Sequence, residues 1–226
     1  MRSPALPVDE RDCLPRRVSH DSEIPSEFRR YARVHDVRDT IYCPPDQWGP
    51  RVTPATLIVA RSHTLLIMRR LRDRLEHTVI DYPGITSIES GRILLYSWLV
   101  IEWTTNTGFT NRTSIEFNTV ASELMLGLLQ KIRRRAFGSA TSEGNVGYEQ
   151  GPGPEVPRRL RIAWKEVAFP EQPALTMAYY PANPEKPVGH LVALTDREVV
   201  DIRELSNAVW QRRSYGVHWR FVPVTS

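Results

Sequence analysis

Apolar residues recur in short bursts through the middle of the chain, at 57–60, 64–68, 77–81, 85–89, 92–103 and 113–117, and the bursts are rich in Ile, Val, Leu, Thr and aromatic residues. Runs of this length with hairpin-sized gaps between them predict antiparallel strands. The gap at 61–63 and the Tyr82-Pro83-Gly84 step supply turn chemistry between them. From Ser122 the period changes. Met125, Leu128, Leu129 and Ile132 repeat at helical spacing, Ser122 can cap the helix and Glu123 sits in its first turn, Arg133, Arg134 and Arg135 oppose the dipole in the last, and Gly138 stops the helix. The expected unit is a meander curled into a barrel or roll and closed by this helix.

The same alternation returns later. Leu160, Trp164, Val167 and Ala168 share one face of a helix over 158–169, which Pro170 ends. Strands are expected at 174–180, 189–195, 198–203 and 215–224, the last alternating Val217, Trp219 and Phe221 with His218 and Arg220. Between the two patterned stretches, 138–157 has the glycine, serine and proline of a linker. Before them, 1–54 carries Pro4, Pro7, Pro15, Pro25, Pro44, Pro45, Pro50 and Pro54, too many for long helices, and reads as an irregular arm with a short apolar stripe of Phe28, Tyr31 and Val34. The expected division is therefore an arm at 1–54, a β domain at 55–137, a linker at 138–157 and a second, smaller and truncated β unit at 158–226.

One strand is apolar on both faces. Over 93–103, Ile93, Leu95, Leu99, Ile101 and Trp103 fall on one side, and Leu94, Tyr96, Trp98 and Val100 on the other. A single-layer barrel shelters only its inner face, so the outward set needs cover from the arm, from the second unit or from a partner. Leu94, Tyr96, Trp98 and Val100 are the candidate interaction surface, with the alternate face in reserve should the register differ.

Two passages carry a family resemblance. The passage from Leu191 to Glu204, with Leu194-Thr195-Asp196-Arg197 and then apolar residues within it, resembles a hairpin of bacterial pleckstrin-homology-like (PH-like) domains. The 57–68 hairpin, the passage 79–89, Ile115 to Phe117 and the closing helix are similar to the strand and helix order of the same family. The resemblance covers about 55–137 and, more weakly, 158–226, where no helix follows Val224: either that copy is truncated, or the helix over 158–169 fills the role from the other side. It implies a mainly β fold, a PH-like antiparallel barrel capped by a helix and followed by a smaller PH-like β unit. It also implies a noncatalytic binding module in a bacterial protein. Relatives that bind phosphoinositides use basic residues near the first hairpin, which points to Arg69, Arg70, Arg72 and Arg74 as anion or lipid contacts. Asp73 and Glu76 stand among them as competing partners.

Composition narrows the function. The chain has 226 residues and a formal net charge of +4, which demands no nucleic acid, and aromatics are not interleaved with a basic stripe. Cys13 and Cys43 lie outside any metal-ligand or redox spacing. No signal-peptide core opens the sequence and no apolar run is long enough for a bilayer span, so a cytoplasmic location, peripheral to a membrane at most, is expected. His20-Asp21 and His35-Asp36 raise a metal-dependent hydrolase as a remote alternative, but nucleophile elbows, phosphate loops and dinucleotide loops are missing. The leading expectation is a noncatalytic protein-interaction or scaffold module with a protein partner, no cofactor, no metal and no catalytic residues. The alternative is a peripheral binder of anionic headgroups.

Overall fold

The computed structural model describes residues 14–32, 39–48, 51–138, 151–183, 188–205 and 216–224. The first patterned stretch folds in the expected order: β5 (Ala55–Ala60), β6 (Thr64–Arg70), β7 (Leu75–Asp81), β8 (Ile85–Ile93), β9 (Tyr96–Thr104), β10 (Thr110–Asn118) and helix α2 (Ser122–Phe137). The later stretch supplies helix α3 (Arg158–Val167) and strands β11 (Thr176–Tyr180), β12 (His190–Leu194), β13 (Glu198–Leu205) and β14 (Gly216–Pro223). The proline-rich arm is less irregular than its composition suggests. It holds β1 (Arg16–Arg17), the short helix α1 (Ser26–Arg29), β2 (Thr40–Cys43) and a small ribbon of β3 (Asp46–Trp48) and β4 (Arg51–Thr53). Pro44, Pro45 and Pro54 all fall between these strands, where a missing N–H leaves no gap in a ladder.

The strands form open sheets and not the expected closed barrel. A five-stranded sheet runs β1-β2-β5-β6-β7, and a seven-stranded sheet runs β10-β9-β8-β14-β13-β12-β11, with every pairing antiparallel. The reason lies in β8. Closure would require it to pair with β7, across the 3-10 corner Tyr82–Gly84, but one edge of β8 holds β9 and the other holds β14. No hydrogen-bonding edge is left. The chain's last described strand thus sits at the centre of the larger sheet and joins the two patterned stretches edge to edge.

Each face then finds its cover. Ile58, Ala60, Leu65, Ile67 and Ile80 of the five-stranded sheet share one core with Ile88, Leu99, Ile101, Ile115 and Phe117 of the seven-stranded sheet, and Met125, Leu128, Leu129 and Ile132 of α2 pack into it. The same core continues through Leu160, Ala163, Trp164 and Val167 of α3, against Leu191, Val200, Ile202, Trp219 and Phe221. It is α3, coming before these strands in the chain, that covers the inner face of the β11–β14 half. The opposite face of the five-stranded sheet, with Leu57, Val59, Leu66 and Met68, is covered by Val18, Ile24, Phe28 and Ala32 of the arm. Sheltered on both sides, β5 is buried throughout, which is why it reads as an unbroken apolar run.

The last turn of α2 fastens these layers. Successive residues on a helix point about 100° apart, and three consecutive arginines use that divergence. Arg133 is 2% exposed and forms a two-point ion pair with Glu198 of β13, with Nε 3.1 Å from Oε2 and Nη2 on Oε1. Its Nη1 donates to the Val167 carbonyl at 2.6 Å, and its guanidinium lies between the Phe169 and Phe221 rings, 4.3 and 4.1 Å from their centroids. Arg134 reaches Glu171 on the surface. Arg135 turns the other way, donating to the carbonyls of Ala60 and Arg61, to the Tyr82 hydroxyl and to Asp39. Burial raises the Asp39 pKa, but the hydrogen bonds from Lys131 and Arg135 outweigh it and hold the carboxyl below its usual value.

The expected eleven-position apolar strand is in fact two strands and a turn. Ile93 pairs with Tyr96, so Leu94 and Leu95 are the two residues of a tight hairpin, and Leu94 takes a φ of +53°. Neither leucine is a turn signal, and a leucine in the left-handed region is strained. Leu94→Gly is expected to raise stability by about 0.5–1 kcal/mol, the strain relieved less the chain entropy that glycine adds to the unfolded state; a denaturant midpoint that falls would contradict this. Arg133→Ala, which strands a buried carboxylate, is expected to destabilise by about 3–5 kcal/mol, whereas Arg133→Met combined with Glu198→Leu recovers most of that loss. Equilibrium unfolding of the two variants decides it.

Candidate interaction surface

The seven-stranded sheet has one face on the core and one facing out. Register fixes the outer set: opposite Trp98 on β9 are Glu116 of β10 and Gly91 of β8, and the row continues through His218, Arg203, His190 and Tyr180 on β14, β13, β12 and β11. Six strand spacings of about 4.8 Å make this row roughly 29 Å long. Gly91 is what lets the row lie low. A Cβ there would meet Cζ2 of Trp98 at 2.1 Å, so the indole lies across the space above Gly91. The His218 ring is tilted only 23° from it with centroids 6.5 Å apart, and Tyr96 flanks it at 5.5 Å. At the far end Tyr180 and His190 stack at 4.7 Å.

Charged groups alternate between the rings. Arg203 is held by Asp201 through Nε at 2.7 Å. Glu89 is shared by Arg112 at 3.1 Å, His218 at 3.7 Å and Arg220 at 3.8 Å. Arg112 also lies 3.6 Å from Glu102. Cations and carboxylates thus neutralise one another locally, and the face presents rings and paired charges without a field of one sign.

The sequence-derived surface falls partly on this face. Tyr96, Trp98 and Val100 point outward from β9, with Val100 only 5% exposed, while Leu94 sits in the hairpin turn at 74% exposure. Tyr96 and Trp98 belong to neither hydrophobic cluster among the described residues. The arm covers the other sheet, and β11–β14 extend this one sideways instead of lying over it. The sequence pointed to one strand of the face. It did not reveal His190, Arg203 and Tyr180, because the order of strands across a sheet leaves no trace in a hydropathy pattern; the alternation of His218 and Arg220 with Val217, Trp219 and Phe221 was the one available sign.

The arginine set is divided. Arg69 turns inward, its Nη2 donating to the Thr113 hydroxyl at 2.6 Å and to the Ser114 carbonyl, and burial lowers its pKa despite Glu76 and Glu116 nearby. Arg74 pairs with Glu76. Arg70 and Arg72 are exposed at the β6–β7 turn, beside Asp73. A cleft of about 780 Å³ opens between His63, Asp81, Trp103 and Thr105, but Arg135, which lines it, is occupied by carbonyls and Asp39.

Other candidate chemistry is weaker. Cys43 is buried, and desolvation pushes its thiol up to about 12, which keeps it protonated. Cys13 and the His35-Asp36 pair lie outside the described residues. Among the described residues, no group of three or more His, Cys, Asp or Glu side chains is placed to hold a metal, and no helix is long and apolar enough to cross a membrane. No family model matches the chain, and no curated protein or solved structure matches it.

Burial lowers the His218 pKa. The carboxylates of Glu89 and Asp201 pull it upward without prevailing, and Arg203 adds to the lowering. The unfolded imidazole, with its ordinary value near about 6.5, therefore binds a proton at a pH where the folded one does not. Stability from this group is complete above that value and declines as the solution is acidified. His218→Gln is expected to flatten the fall between pH 7 and pH 5, measured as the shift in urea midpoint; an unchanged slope would assign the acid sensitivity elsewhere.

Proposed function

We propose that this chain is a noncatalytic protein-interaction module, PH-like over 55–137, whose partner docks on the outer face of the seven-stranded sheet. The observation that carries the reading is the Trp98 indole spread over Gly91 in an open row with His218, Arg203, His190 and Tyr180. Trp, Tyr and Arg are the residues that dominate binding energy at protein interfaces, and they do so when a partner's side chains exclude water from around them. Charges already paired within the face supply little long-range attraction, so recognition rests on shape and ring contacts. The arginine turn supports an anionic membrane surface less well, since Arg69 and Arg74 are engaged within the chain.

The test is affinity capture with the full chain, followed by titration of the captured protein. Trp98→Ala is expected to weaken binding by at least about 30-fold, the effect of losing about 2 kcal/mol at an interface anchor, while Arg72→Ala leaves it unchanged. Equal binding by Trp98→Ala would remove this face from the function, and sedimentation with anionic vesicles that depends on Arg70 and Arg72 would favour the membrane surface instead.

A further inference from the structure

Among the described residues, three of the four outer edges of the two large sheets are guarded against pairing with another chain. β1 is two residues long and both are arginine. β7 carries Glu76 and Asp81, with Tyr31 stacked on its His77. β10 carries Arg112 and Glu116, and Arg69 occupies the carbonyl of Ser114. Charge, shortness and cover of this kind are how natural sheets avoid edge-to-edge association. β11 has none of them. Its sequence is Thr-Met-Ala-Tyr-Tyr, without a charge or a proline, and Thr176, Ala178 and Tyr180 are exposed. Among the described residues, its ladder to β12 is its one recorded pairing.

We propose that β11 pairs with β11 of a second copy of this chain, antiparallel about a two-fold axis at Ala178. The strand is self-complementary in that register. Ala178 faces its own copy, so the closest approach at the axis involves only methyl groups. Thr176 falls opposite Tyr180 and Met177 opposite Tyr179, a sulfur–aromatic contact, and no like charges meet. Just beyond the strand, Leu175, 46% exposed, falls opposite Pro181. An extended peptide of another protein could use the same hydrogen bonds, but it would have no reason to match this symmetry. The register also keeps faces consistent. Residues 176, 178 and 180 lie on the outer face in both copies, so the axis stands perpendicular to the sheet and the two Trp98 rows face the same direction. The pairing is independent of what docks on that face.

Sedimentation velocity of the full chain over a concentration series is expected to show a species of twice the 26.0 kDa chain mass. Ala178→Lys and Ala178→Glu each place like charges directly opposite one another across the interface and are expected to weaken the dimer by at least about tenfold, with unchanged circular dichroism. Mixed together, the two variants restore it, because lysine then faces glutamate. A chain that stays at 26.0 kDa throughout, variants that dimerise as well as the parent, or a mixture that fails to pair would each overturn the proposal. Trp98→Ala, which tests the docking face, leaves this equilibrium unmoved.

Discussion

The buried ion pair of Arg133 and Glu198 is the interaction on which the arrangement of the whole molecule depends. Two charges removed from water are tolerable only when every lone pair and proton has a partner, and here the guanidinium reaches two carboxylate oxygens and the Val167 carbonyl while two phenyl rings cover its faces. These partners come from β13, from the end of α3 and from β14, whereas the arginine belongs to α2. The helix that closes the first meander cannot satisfy its own buried charge until the later strands are in place. Arg197 adds to the same junction, with its guanidinium 3.5 Å from the Phe137 carbonyl at the end of α2. Hydrophobic burial drives these layers together, and the ion pair spans the place where they meet.

That junction gives physical content to the phrase at 194–197. The Thr195 hydroxyl donates to the Glu198 carbonyl and accepts from the Glu198 amide, which closes the β12–β13 turn, and it also receives Gln172 Nε2 at 3.2 Å. Glu198 is thereby held rigidly where Arg133 needs it. The threonine shapes the turn, the arginine grips the helix end and the residue after the arginine accepts the buried charge. Thr195, Arg197 and Glu198 thus each have a structural role at this junction.

Much of the element order was legible in the sequence. The period-2 bursts and the helical stripe of α2 reflect burial on one face, which local pattern reports directly, and β5, β6, β7, β10, the strands after α3 and both long helices stand where those patterns put them, whereas β1 to β4 lie in an arm that its prolines mark as irregular. Three things were not legible. Leu94 and Leu95 carry no turn chemistry, so the hairpin between β8 and β9 was hidden inside an apolar run. The pairing of β14 with β8 joins residues more than a hundred positions apart, and alternation says which face a strand shows but not which strand lies beside it. Arg133 looks in the sequence like one of three cations balancing a helix dipole, because periodicity assigns charges to solvent; that it is buried follows from Glu198, which a local reading cannot connect to it.

The edge pairing that hid from the sequence also creates the candidate surface. Had β7 and β8 closed a barrel, β9 would stand on a convex wall only a few strands wide. With β14 on the edge of β8, the sheet instead continues through β13 and β12 to β11, and the ring of Trp98 becomes one member of a row that reaches Tyr180. The same junction places Glu89 beside Arg220 and His218, so the outer seam between the two halves is stitched by charges from both. Fold and surface are therefore one problem in this chain: the pairing that sets β14 on the edge of β8 is also what brings His218 into line with Gly91 and Trp98, so the continuity of the outer face rests on the register of that one ladder.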